Sequence, residues 1–360
     1  MLKAQNSVKV VDRRAVDALR QLLEQIPTII LLDIGLEARA HEHGADLVAC
    51  IEASGTRYTL ICDVESSGQP RHVRMGLLQL RHQVVQQSSE TVPILIAPYL
   101  SAEAQAMCRE QSVGFLDLEG NARLLFDSVF IERQVASKPV VERRELRSLF
   151  KAKSAQVLRV LLRDPARSWR VTELAEASGV SLGHVSNLRK ALLDREWAKV
   201  SSDGVFLSQP DALLDEWRVA YEAPHGDVMG FYTTLHGNAL EDAARDVFRM
   251  SRDSGKVAFA SFSAGSWLAP YGRTGMHYFY TNWVGLEHLR TVLKLTSTAK
   301  GENVSVTVLK DVDLFRDMVE PAPDVICTSA VQTYLDLATS GERGSEAAEH
   351  LRQKVLTWSR

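Results

Sequence analysis

The stretch SWRVTELAEASGVSLGHVSNLRKALLDREWAKVSSDGVFL, residues 168–207, leaves a chain few choices of fold. Its first part asks for a helix capped by Thr172, with Glu173 and Glu176 in the early turns, where the positive end of the helix dipole favours acids. Ala175 is small where a second helix must cross closely. Gly179 supplies the tight turn, and Ser181 is placed to cap the helix that follows. In that helix Val185, Leu188 and Leu192 repeat at i, i+3 and i+7, which commits one face to a core. The opposite face carries His184, Asn187 and Lys190, with Arg189 at its margin. Ala198–Val200 and Val205–Leu207 are β-prone, and the Asp203-Gly204 pair between them suits a hairpin turn. With a first helix over Lys153–Leu162, the order helix, helix, helix, hairpin is that of a winged helix-turn-helix.

A helix of this kind fits the major groove of double-stranded DNA. Asn187 carries the paired donor and acceptor that match an adenine edge, and Arg189 and Lys190 can reach guanine or phosphate. Ser181, with the backbone N–H groups of the helix start, suits a phosphate. His184, read as a surface polar residue of the same face, is expected among the DNA contacts. Charge agrees with this. Thirteen Lys and Arg against seven Asp and Glu give +6 between Arg143 and Gln209, leaving −9 for the rest of a chain whose net charge is −3. Such asymmetry points to a polyanionic partner. Arg147, Lys153 and Arg170 are the cations expected to follow the DNA backbone. Asp203 at the turn, and Asp194 and Glu196, dilute that charge and keep a protein-interaction module as the competing reading.

A length of 360 residues suggests two or three domains, and a 45% hydrophobic composition supplies apolar material for their cores. Residues 1–137 alternate helix and strand, with Tyr58–Val64 and Val92–Ala97 as apolar strands of a sheet covered on both faces. Lys138-Pro139 marks a linker, residues 138–221 hold the winged helix, and residues 222–360 again mix helices and strands. Apolar runs such as Thr28–Leu32 are far too short to span a bilayer, and the N-terminus lacks a secretory pattern. Cys50, Cys62, Cys108 and Cys327 are scattered, with no C-x-x-C pair. Buried free thiols in a reducing cytoplasm are expected.

The stretch GADLVACIEASGTRYTLICDVESSG, residues 44–68, puts Asp46 on one strand and Asp63 on the next, with a turn at Ser54-Gly55. This arrangement resembles the restriction-endonuclease-like, or PD-(D/E)xK, fold. The resemblance implies Mg²⁺ held by carboxylate oxygens, with Glu42 as an additional helical carboxylate, and a lysine two places after the second acid that polarises the attacking water. Glu65 occupies that lysine position with the opposite charge. The expectation is a nuclease-like domain without cleavage activity, no catalytic residue, no metal and no cofactor. The alternative is a Mg²⁺-dependent nuclease using Asp46, Asp63 and Glu65. His41-Glu42-His43 is read as polar surface because H-x-H on a helix splays the rings apart. Ser261, Ser263 and Ser266 near His277 lack a G-x-S-x-G elbow.

Beyond residue 222, ASFSAGSWLAPYGRTGMHYFYTN and ICTSAVQTYLDLATSGERGSEAAEHLRQKV carry a further pattern. Ser263-Ala264, Trp267 to Tyr271, Val331 to Tyr334 with Asp336-Leu337, and Gly344 with Ala347-Ala348 and Leu351 resemble the C-terminal domain of AbiE-type, type IV antitoxins over residues 145–360. The resemblance implies repression of the chain's own promoter and antagonism of a nucleotidyltransferase toxin encoded nearby, without a stable complex. The extra α/β domain departs from that family's plan. A homodimer is expected because winged-helix regulators commonly read paired half-sites. The whole is thus expected to be an α/β multidomain protein: nuclease-like α/β, winged helix, and an α+β domain like that of antitoxins.

Overall fold

The computed structural model describes residues 2–36, 45–85, 90–127, 129–135, 138–272, 274–297 and 300–358, with the backbone alone for 2–10. The chain forms two compact units, residues 1–144 with 191–196, and residues 145–190 with 197–360.

The first unit opens with α1 (Leu2–Glu24), β1 (Ile29–Leu36), β2 (Leu47–Ala53) and β3 (Thr56–Val64). It continues with α2 (Pro70–Val84), β4 (Thr91–Ala97), α3 (Ala102–Glu110), β5 (Gly114–Asp117), β6 (Ala122–Phe126) and β7 (Val129–Arg133). The strands form one sheet in chain order. β1, β2 and β3 are an antiparallel meander, whereas β3–β4 and β4–β5 are parallel. Parallel neighbours need a crossover, which α2 and α3 supply. β2 buries Leu47, Ala49, Ile51 and Ala53 in strict alternation, as a strand with one core face does. Ile94–Ala97 of β4 is buried throughout, as a central parallel strand is. Two cores result. Ala15, Leu19 and Leu23 of α1 pack with Leu47, Ile51 and Leu60, and Val73, Leu77 and Leu80 of α2 pack with Leu95 and Phe115.

Local chemistry sets the element ends. Ser101 caps α3, its Oγ accepting from Ala104 N–H at 3.2 Å. At the β5–β6 turn the buried Asp117 carboxylate accepts from the backbone of Glu119, Gly120 and Asn121 through Oδ1, and from Leu100 through Oδ2. α2 starts at Pro70, where a missing N–H costs nothing in the first turn.

Onward from residue 140, α4 (Val140–Leu149), which belongs to the second unit from residue 145, is followed by α5 (Ala152–Arg163), α6 (Val171–Ser178), α7 (Leu182–Asp194), whose residues from 191 belong to the first unit, the β8 (Ala198–Val200) and β9 (Val205–Leu207) hairpin, and α8 (Pro210–Val219). Then come β10 (Gly226–Tyr232), α9 (Asn238–Met250), β11 (Val257–Phe259), α10 (Ser261–Leu268), β12 (His277–Thr281), α11 (Trp283–Val292), β13 (Thr296–Ser297) and β14 (Val304–Leu309). A 3-10 segment (Val312–Asp317), β15 (Met318–Ala322), β16 (Val325–Thr328), α12 (Ala330–Ala338) and α13 (Gly341–Val355) complete the second unit. Its large sheet has the order β13-β10-β14-β12-β11-β16-β15. Val247 and Phe248 of α9 and Leu286 and Leu289 of α11 pack with Phe259, Phe279 and Val306 of that sheet.

β11 stops at Phe259, and Ser261 takes a φ of +48° where the chain turns into α10. One local expectation needs correction. Thr172 lies inside α6 rather than capping it. Arg170 is the cap residue, and its N–H donates to Glu173 Oε2 at 3.3 Å. α8, unforeseen, begins at Pro210.

Candidate nucleic-acid interface

The helices α5, α6 and α7 bury one side each, Leu158 and Leu161 on α5, Leu174 on α6, and Val185 and Leu188 on α7. The turn between α6 and α7 depends on Gly179, which ends α6 at φ +69° while its N–H bonds back to Glu176. Trp169 exchanges both backbone hydrogen bonds with Val205, at 2.8 and 2.9 Å, a single antiparallel bridge beside the hairpin. Gly204 takes a φ of +145°, and a Cβ there would overlap the Trp169 carbonyl. The hairpin and the helices are therefore locked together by a position that only glycine fills.

One face of α7 is left open. Gly183, Ser186, Asn187 and Lys190 are exposed there, with Ser181 and Leu182 at the helix start. No acid occurs from Ser181 to Lys190. Of the residues expected to contact DNA, Ser181, Asn187 and Lys190 lie on this open surface, and Arg189 is half-buried at its edge. His184 is not on it. Its Nε2 is 2.9 Å from Ser154 Oγ, a bond that ties α7 to α5. The signal was in the spacing, since His184 precedes the buried Leu188 by four residues and shares its side of the helix. Ser186 and Gly183, missed in the sequence, are four and seven residues before Lys190 and share its face.

The remaining expected cations are exposed, Lys153 in the first turn of α5, Arg170 ahead of α6 and Arg147 on α4. Arg147 Nε is 4.0 Å from Glu222 Oε1. Arg167, also missed, lies with its guanidinium 3.7 Å above the Trp169 ring. Lys199, Ser202 and Asp203 are exposed on the hairpin.

Behind this surface a buried polar network joins α5 to the C-terminal elements. Arg159 donates from Nη1 to Gln332 Oε1 at 3.1 Å, and its Nε is 3.4 Å from Asp317 Oδ2. Arg163 pairs with the other oxygen of Asp317. Gln332 Nε2 donates to Tyr221 Oη at 2.7 Å and to Asp336 Oδ1 at 3.0 Å, and Tyr221 donates to the same carboxylate. Burial pushes the Asp336 carboxyl up to about 6 against the pull of these donors, and burial lowers the Arg159 pKa against the pull of Asp317.

In the first unit Asp46, Asp63 and Glu65 gather near the end of β3. Asp46 Oδ2 accepts from Val64 N–H at 3.0 Å. Asp63 is buried under α2, where a Cβ on Gly76 would be 2.5 Å from its Oδ2 and 3.1 Å from Glu65 Oε1. Burial, then the charges of Asp63 and Asp46, raise the Glu65 carboxyl to about 7. Among the described residues no group of three His, Cys, Asp or Glu is placed to hold a metal. His41, Glu42 and His43 lie outside the described residues. In the second unit Ser263 Oγ accepts from Tyr278 N–H at 2.8 Å and Ser266 donates to the Ser263 carbonyl, so these hydroxyls serve the backbone. Among the described residues no helix is long and apolar enough to cross a membrane.

Residues 206–357, less than half of the chain, match the family described as transcriptional regulator, AbiEi antitoxin, type IV TA system. The match begins within β9 and runs through α13. No curated protein is significantly similar to the chain. A solved structure titled "Structure of EndoMS in apo form" is similar at 15% identity over 29% of this chain, with a TM-score of 0.21. The chain spans 45% of the length of that structure.

Proposed function

We propose that the chain is a DNA-binding transcriptional regulator of the antitoxin type, in which α5, α6, α7 and the β8–β9 hairpin form a winged helix-turn-helix. The observation that carries this is the open face of α7, where Gly183, Ser186, Asn187 and Lys190 stand exposed on a helix whose other side is core. Gly183 has nothing within 4 Å of a Cβ position, so the backbone itself can approach a groove wall. Asn187 offers the bidentate adenine contact, and Lys190 with Ser181 reaches bases or phosphates. Lys153, Arg170 and Arg147 extend phosphate contacts beyond the groove.

The AbiEi match of the C-terminal stretch supports a transcriptional regulator with an antitoxin role. The reading adds that it represses its own promoter and opposes a nucleotidyltransferase toxin encoded nearby without a stable complex, as the resemblance implies. A homodimer on paired half-sites is the working oligomer. The first unit is read as a restriction-endonuclease-like scaffold, supported by its antiparallel meander β1–β3 followed by the parallel crossover to β4. No cleavage step is assigned to it, because Glu65 stands where that chemistry needs a cation and Asp63 is covered by α2.

A gel-shift titration on the chain's own upstream DNA, at two salt concentrations with and without Mg²⁺, tests the reading. Specific, salt-sensitive shifts of intact DNA in both lanes support it. Strand scission dependent on Mg²⁺ and abolished by Asp63→Ala would replace it with the nuclease, and salt-independent absence of binding would leave a protein adaptor.

A further inference from the structure

We propose that a cavity in the second unit, walled by the end of α4, the start of α5, α8 and α12, binds a small aryl carboxylate, and that its occupancy is transmitted through α5 to the face of α7. The cavity has a volume of about 310 Å³, within the range of small-molecule sites. Its walls are mainly apolar, with Phe150, Ala155, Trp217 and Leu314 in the lining. The Phe150 and Trp217 rings stack with centroids 5.7 Å apart and planes 5° from parallel. Phe150 also stacks on Trp197, with centroids 6.5 Å apart, and Trp217 is 1% exposed, so these rings form a rigid apolar floor to the cavity.

The polar end is formed by Arg159 and Gln332. The Arg159 side chain is only 5% exposed, and its contacts to Gln332 and Asp317 engage Nη1 and Nε. Neither contact uses Nη2. A guanidinium held from two sides in a dry wall is a preorganised partner for a carboxylate. Arg147, Lys151 and Arg159 in the lining face Glu222 and Asp311, and Asp317 stands against Arg159 from behind, so selection of a carboxylate falls to the Nη2 donors of Arg159 rather than to net charge. Arg147 and Glu222 approach each other to 4.0 Å and so hold part of this charge in a pair of their own.

Transmission follows from the contacts of Arg159. It belongs to α5, and α5 holds α7 through the Ser154–His184 bond. A carboxylate drawing on Arg159 competes with Gln332 and Asp317 for the same guanidinium and biases how α5 is held. The ligand site stands without the DNA-binding reading, whereas this transmission rests on it.

The full chain is titrated calorimetrically with benzoate, phenylacetate and 3-phenylpropionate, and with phenylacetamide as the neutral control. Saturable binding of at least one carboxylate is expected, with the amide at least tenfold weaker. Ala220→Leu, which narrows the cavity from the end of α8, is expected to weaken that binding at least tenfold while circular dichroism stays unchanged. Lys151→Ala is expected to weaken it less. No saturable binding of any of the three carboxylates, equal binding of the amide, or undiminished binding by Ala220→Leu would overturn the site. The same ligand added to the operator gel shift is expected to change the apparent Kd. An unchanged Kd with calorimetric binding intact overturns the transmission alone. If no operator is bound at all, the regulator reading and the transmission fall, and calorimetry still decides the site.

Discussion

Arg159 on α5 donates to Gln332 on α12 across 173 positions of sequence, and Gln332 passes the contact on to Asp336 and Tyr221. The helix that begins the proposed DNA-reading module is therefore fastened to the C-terminal domain by buried polar groups, whose partners cannot be replaced by water once the unit has closed.

Arg159→Ala removes a buried cation and leaves Asp317 and Gln332 short of a partner. A loss of about 3–5 kcal/mol is expected from such a break. Arg163 also pairs with Asp317 but its side chain is 59% exposed, and Arg163→Ala is expected to cost about 1 kcal/mol or less. Urea denaturation of the two variants measures the difference. Equal effects would show that burial does not govern this pair.

On α7 the prediction divides three residues by role. Lys190→Ala is expected to weaken DNA binding on all sequences and lower the salt slope by about 1. Asn187→Ala is expected to cost about 1–3 kcal/mol on the operator and relax preference at one base pair. His184→Ala loses its bond to Ser154 and is expected to cost about 1 kcal/mol of stability, with little change in salt slope. Binding isotherms at several salt concentrations, with thermal denaturation alongside, separate these outcomes.

Gly204→Ala tests how the hairpin is attached. The position combines a φ of +145° with the Trp169 carbonyl in the space of a Cβ. A loss of about 1–3 kcal/mol is expected from backbone strain alone, with Trp169 fluorescence reporting release of the Trp169–Val205 bridge. A variant as stable as the parent would mean that the backbone at 204 relaxes away from the Trp169 carbonyl at no cost.

Glu65 predicts a pH dependence with a definite sign. Its carboxyl is raised from 4.5 to about 7, so the folded state binds the proton more tightly than the unfolded chain. This contribution is fully present below about pH 4.5 and is lost as pH rises through 7. Asp336, raised from 3.8 to about 6, acts in the same direction over a lower window. Glu65→Gln is expected to stabilise the protein at pH 8 and to be neutral near pH 4, as read from denaturation midpoints at both values. A variant less stable at pH 8 would mean that the ionised carboxylate has a favourable partner there.

The local sequence determined the elements of the interface. The spacing of Val185, Leu188 and Leu192, the glycine at 179 and the Asp203-Gly204 turn each act within a few residues, so periodicity and backbone sterics are enough to read them. The AbiEi-like stretch was legible for a related reason, its small and aromatic residues being set where one local turn or helix needs them. Tertiary structure decided what periodicity does not encode. It turned His184 toward Ser154, started a helix at Ser261 through a positive φ, covered Asp63 with α2 at Gly76, and gave the buried Arg159 its partners. A buried polar group is satisfied by whichever donor or acceptor the closed fold brings to it. For Arg159 those are Gln332 and Asp317, far along the chain, and nothing within a turn of helix announces them.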